Sequence, residues 1–245
     1  RFGGELGNRA AFVAAVVGGL RRVAPKLGIG VRLSAFDMVP FEPADDYVGA
    51  PVDVPLPYSS GFGVSSDEPT KPDLEEPIAF IQLLRELGVT LLNITAGSPY
   101  YTPHIQRPAL FPPSDGYLPP EDPLVGVARQ IDTVRRLKGR LPDVTFVGSS
   151  YSYLQEWLPA VAAAAVAAGW VDSVGIGRMM LSYPDLPHHV LSGLPLERKR
   201  ICRTFSDCTT APRGGLVSGC FPLDDAYGSL PDAEALRELK NRASS

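Results

Sequence analysis

The feature that most constrains the fold is an alternation. Stretches with helical apolar spacing separate short apolar runs, and the runs end in glycine or polar residues. Residues 8–23 predict a helix with Phe12, Val16 and Leu20 on one face at a spacing of four, closed by Pro25 and Gly28. Residues 29–34, Ile-Gly-Val-Arg-Leu-Ser, predict a strand. Further helices are expected over 77–87, 123–137 and 157–168, and further strands over 90–95, 144–147 and 171–176. Segments 36–73 and 96–123 are rich in Pro, Gly, Ser and Asp and predict long loops, which in a compact domain usually carry function. The tail from residue 184 reads as irregular until a last helix over 232–242. Successive strand–helix units need parallel strands joined by crossover helices. The pattern leaves two architectures open, half of a (β/α)₈ barrel or a small doubly wound sheet. In both, the site lies at the C-terminal ends of the strands.

Composition removes several classes. The chain has 245 residues, 44% of them apolar, so it is long enough to bury a sizeable core. A net charge of −4 gives no electrostatic reason to expect nucleic acid or an anionic membrane as partner. No apolar run is long enough to span a bilayer, because the alanine-rich stretch 161–168 is closed by Gly169. Three cysteines, Cys202, Cys208 and Cys220, share one segment. An odd count without a secretory signal argues against a disulfide framework and makes the cytoplasm the expected compartment. The first residue is Arg1, within a dense motif, so the chain is expected to be cut from something longer.

The strand ends carry the candidate chemistry. Arg32 lies in the strand Gly-Val-Arg-Leu-Ser, where a guanidinium is costly to bury unless it meets an anion or rich acceptors; pairing with Asp37 is the plain alternative. Gly148-Ser149-Ser150 and Gly177-Arg178 end the last two strands, where glycine lets backbone N–H groups approach phosphate and arginine adds a charge-assisted contact. The loop GSPYYTPHIQRP offers Tyr100, Tyr101, His104, Gln106 and Arg107 at the rim of a site. The pair His188-His189 reads as helix surface.

Two strings resemble a known family. RFGGELGNRAAF, through Gly3, Gly4, Asn8, Arg9 and Phe12, is similar to a signature that follows the fourth barrel strand of the old yellow enzyme family, with Glu5 for the usual Ser and Ala11 for the usual Arg. VDSVGIGRMMLSYPDLP, through Gly175, Gly177, Arg178, Pro184, Asp185 and Pro187, resembles the string at that family's eighth strand. The resemblance implies residues 1–200 as the C-terminal half of an FMN-binding (β/α)₈ TIM barrel and 201–245 as a cysteine-containing extension. It implies an NAD(P)H:flavin oxidoreductase that reduces an activated alkene, an enone or enoyl thioester, with NADH or NADPH as hydride donor.

By the same resemblance Arg32 reaches the flavin's N1/O2 edge, and Gly148, Ser149, Ser150, Gly177 and Arg178 hold FMN. Tyr100 and Tyr101 flank substrate, and His104 lies near a histidine that helps protonate it in the dienoyl-CoA reductase branch. The family's paired substrate-gripping residues fall upstream of residue 1, so this chain alone is expected to bind FMN poorly and not to turn over. Cys202-x₅-Cys208-x₁₁-Cys220 is similar to that branch's iron–sulfur segment but lacks one ligand, with Phe205 near its place. An intact iron–sulfur cluster is therefore not expected, and neither is zinc. Homo-oligomerisation stays open. The alternatives are a TIM-barrel enzyme using the phosphate site without flavin, or a redox-inactive barrel serving as a binding module.

Overall fold

A computed structural model describes residues 2–114 and 116–243; Arg1 of the opening motif and the last two residues of the extension lie outside it. From the N-terminus, α1 (Leu6–Val23) leads into β1 (Gly30–Ser34), followed by a small antiparallel pair, β2 (Phe41–Pro43) and β3 (Gly49–Pro51). Then come α2 (Glu75–Glu86), β4 (Leu91–Thr95), α3 (Pro103–Gln106), α4 (Pro123–Arg140) and β5 (Thr145–Gly148). A 3-10 segment, Tyr151–Trp157, leads into α5 (Leu158–Ala167) and β6 (Ser173–Val174). The short helices α6 (Met179–Ser182), α7 (Leu186–Leu191), α8 (Asp207–Arg213) and α9 (Asp225–Gly228) precede α10 (Asp232–Ala243).

The main sheet has four parallel strands in the order β1-β4-β5-β6, which is the order of the chain. Its two faces differ sharply. Leu92, Ile94 and Phe146 are buried, and they share one core with Ile81 and Leu84 of α2, Val134 and Leu137 of α4 and Leu158 of α5. Truncating a buried aromatic such as Phe146 to alanine costs about 3–5 kcal/mol in a site of this kind. On the alternate face Arg32, Asn93 and Val147 stand in register, and none of the three is buried. Strand alternation thus turns Arg32 and Asn93 away from the helices.

Polar ties fix the layers. The Asp172 carboxylate accepts from the Phe146 backbone N–H at 2.8 Å and from Lys138 Nζ at 2.9 Å, joining α4, β5 and the approach to β6. Asp122 caps α4 by accepting from the Leu124 N–H, with Pro123 at the first helical position. Arg9 of the opening motif pairs with Glu76 of α2. The motif therefore acts structurally, clamping α1 to α2.

The structure departs from the sequence expectations in several places. The Phe12, Val16 and Leu20 face of α1 points outward, with exposures of 64%, 46% and 36%, and Ala10 and Val17 are buried instead. The 36–73 segment is more ordered than a loop. It contains the β2–β3 pair, and Phe62 bridges Asp37 beyond the end of β1. Gly63 has φ +65°, and a Cβ there would lie 2.2 Å from the Ala35 carbonyl oxygen, so this close approach requires glycine. The last strand is shorter than 171–176, and the tail is a series of short helices. A second small core, Ala211, Phe221, Ala233 and Leu236, holds the end of the chain together. Among the described residues no helix is long and apolar enough to cross a membrane.

Candidate functional site

A cavity of about 340 Å³ opens over the C-terminal ends of the four parallel strands. Arg32, Ser149, Ser150, Gly177 and Arg178 all line it. Among the described residues no aspartate or glutamate lines it. Gly148, the sixth residue expected here, lies just beneath. It is buried, and its carbonyl accepts from the Gly175 N–H at 2.7 Å, so it positions the two strand ends.

Each strand end has a local cause. Asn93 donates through Nδ2 to the Val147 carbonyl at 3.1 Å and to Ser149 Oγ at 3.2 Å, holding the turn after β5. Ser150 has φ 73°, a left-handed conformation that costs a non-glycine residue energy and places the turn at the cavity wall. A Cβ built on Gly177 meets nothing within 4 Å, so the chain's own packing does not demand glycine there. Its bare backbone faces open space. Arg32 is exposed on the cavity side and has no hydrogen bond or ion pair among the described residues; Asp37 instead accepts from Ser34 Oγ at 3.0 Å.

Arg178 is the unusual group. Its Nη2 donates to the Pro108 carbonyl at 2.8 Å, while Nη1 is buried with no partner among the described residues. Burial, with Arg107 nearby adding repulsion, pulls the guanidinium well below its ordinary value, to about 10. Arg107 is also lowered, by burial first and by Arg213 as the repelling cation. Two desolvated guanidiniums thus face a cavity without a lining carboxylate. Such a site is short of negative charge.

The loop after β4 is arranged differently from a solvated rim. His104 is buried, and its Nδ1 lies 2.7 Å from the Tyr117 hydroxyl, beside the Phe41 ring. Burial lowers His104 from 6.5 to about 4 and raises Tyr117, so both are neutral around pH 7. The pair lines a smaller cavity, which shares Gln106 and Arg107 with the strand-end cavity. Tyr100 and Tyr101 are exposed and line neither. His188 is at the surface as expected, but His189 turns inward, its Nδ1 2.5 Å from the hydroxyl of buried Tyr183. Tyr117 and Asn93 were not singled out by sequence reasoning. Tyr117 has no motif around it, whereas Asn93, a polar residue inside Leu-Leu-Asn-Ile-Thr, was a readable signal.

Cys202, Cys208 and Cys220 are free thiols that line one small cavity with Arg178 and Phe205. Burial pushes Cys202 up and Cys220 up to about 11, which keeps both protonated at neutral pH. Among the described residues no group of three or more His, Cys, Asp or Glu side chains is placed to hold a metal ion.

No protein-family model matches the chain, and no curated protein matches it in sequence.

Proposed function

We propose that the chain forms part of an FMN-dependent NAD(P)H oxidoreductase of the old yellow enzyme type, acting on an activated alkene. The observation that carries this reading is the convergence of Arg32, Ser149, Ser150, Gly177 and Arg178 on one cavity at the strand ends, where among the described residues no carboxylate lines the cavity and Arg178 Nη1 has no partner. These residues suit FMN. Arg178 and the open backbone at Gly177 provide a phosphate cradle, the Ser149 and Ser150 hydroxyls add donors, and Arg32 offers an uncompensated cation to the flavin ring.

Bound FMN would supply hydride transfer, from NADH or NADPH to the β-carbon of an enone or enoyl thioester. The chain's own part is to bind and to orient. Arg178 and Gly177 anchor the phosphate end, and Asn93 holds Ser149 in place. The strand order and the single helix-covered face favour a segment of a (β/α)₈ barrel over a doubly wound sheet, in which the strand order reverses and helices cover both faces. His104 and Tyr117 line the adjoining smaller cavity, and at neutral pH the imidazole serves as a neutral hydrogen-bond partner.

The test is anaerobic. Full-length protein loaded with FMN is mixed with NADH or NADPH, flavin absorbance is followed, and an enone is then added. Reduction of the flavin and its reoxidation by the enone support the reading, and Arg32→Met should slow the first step or weaken FMN retention. Binding of phosphate esters without flavin reduction would instead favour a barrel enzyme that uses the phosphate site alone.

A further inference from the structure

The smaller cavity beside the strand ends has a chemistry of its own. It has a volume of about 50 Å³ and is walled largely by prolines, including Pro99, Pro103 and Pro112. Its charged side chains are both cations, Arg107 and Arg213, and its neutral polar side chains all carry at least one donor. The Arg107 guanidinium is partly desolvated and makes no hydrogen bond or ion pair among the described residues. Thr209 Oγ1 is buried and likewise has no partner among the described residues. The His104–Tyr117 pair adds one more donor. If Nδ1 accepts from the tyrosine, Nε2 carries a hydrogen; if Nδ1 donates, the phenol hydrogen is free. Among the described residues no carboxylate lines the cavity.

We infer that this cavity is a binding site for the carboxylate end of a small organic acid with an apolar body. The fork of Arg107 meets the two carboxylate oxygens, and Thr209 and the His104–Tyr117 pair complete them. An acceptor-only anion satisfies every unmatched donor, which a neutral amide or alcohol does not. Prolines around the donors favour an organic acid over a hydrated inorganic anion, because they bury its methyl or methylene groups and offer phosphate nothing. The volume suits the acid group and one or two carbons, and the rest of the molecule would extend past Gln106 and Arg107 into the strand-end cavity. This site does not depend on the flavin reading, since Thr209 and the His104–Tyr117 pair line only the smaller cavity, Arg107 is shared by both, and occupancy needs no redox step.

The experiment is isothermal titration of the full chain with crotonate, repeated with neutral crotonamide and with inorganic phosphate, in the presence and absence of FMN. Saturable binding of crotonate at one site is expected, with crotonamide weaker by about tenfold or more. Arg107→Gln removes no intramolecular bond of the side chain and should weaken crotonate about tenfold or more. Thr209→Val, nearly the same shape, should weaken it several-fold while leaving the unfolding temperature close to wild type. Absence of crotonate binding, equal affinity for crotonamide, displacement by phosphate at matched concentration, or unchanged binding in both variants would each overturn the assignment. Failure of FMN to bind while crotonate does would leave this site standing and count only against the flavin reading.

Discussion

Replacing Arg178 with methionine separates what that residue costs the fold from what it does for a ligand. In the folded protein its guanidinium is lowered to about 10, by burial first and by Arg107 second. A fall of that size corresponds to about 3 kcal/mol withheld from the folded state. The sign follows from proton linkage. The unfolded chain holds this proton more tightly than the folded one, so the penalty is fully present below pH 10 and is relieved only as pH rises above it. Against this stands one hydrogen bond, from Nη2 to the Pro108 carbonyl at 2.8 Å. A bond of that charged type contributes about 1.5–3 kcal/mol. The two effects nearly cancel, and methionine fills much of the vacated space. The ligand-free Arg178→Met protein should therefore unfold within a few degrees of wild type, despite losing a half-buried arginine. A phosphate-bearing ligand should behave oppositely, raising the unfolding temperature of wild type and leaving that of the variant nearly unchanged. Thermal unfolding by circular dichroism at neutral pH, with and without FMN, reads both quantities. A variant that unfolds far below wild type yet keeps the full FMN-induced rise would refute the reasoning, because Arg178 would then be a structural residue with no part in the anion site.

Other outcomes follow from the same geometry. His104, lowered to about 4, is neutral above that value, so its stabilising effect is present above pH 6.5 and is lost as pH falls through 4. Stability profiles of wild type and His104→Phe should converge across that window, and parallel profiles would contradict the burial argument. Tyr117→Phe leaves the buried imidazole without its 2.7 Å partner and should cost about 1–3 kcal/mol in denaturant unfolding. Gly63→Ala places a Cβ 2.2 Å from the Ala35 carbonyl oxygen at a positive φ and should destabilise by more than about 1 kcal/mol, with wild-type stability as the contrary result. Phe12→Glu, on the outward apolar face of α1, should shift size-exclusion profiles towards the monomer if that face drives association, and an unchanged profile would remove it.

Periodicity located the helices and strands of the main sheet to within a few residues, because each helix and strand packs against the same core and its apolar spacing records that contact. The spacing failed on α1, where Phe12, Val16 and Leu20 form a regular stripe that no described element covers. A stripe reveals an apolar face and not what lies against it. The β2–β3 pair was hidden by its proline content and by three-residue strands, which are too short to show alternation. The site was half legible. Arg32, Ser149, Ser150, Gly177 and Arg178 were marked by their places at strand ends, and they line one cavity. His104 was expected at a solvated rim, and it is buried because Phe41 from β2 and Tyr117, neither marked by any motif, close over it. The lack of a counter-charge for Arg107 and Arg178 among the described residues could not be read from sequence, since it is a property of the cavity.

The most direct test of the central claim compares FMN with riboflavin, which carries the same ring system without the phosphate. Titration of the full-length protein, followed by flavin fluorescence, should show saturable FMN binding that is about tenfold or more tighter than riboflavin binding. The preference should collapse in Arg178→Met. Equal affinity for the two flavins, or no saturable binding of FMN, would contradict the assignment of the strand-end cavity as the flavin phosphate site.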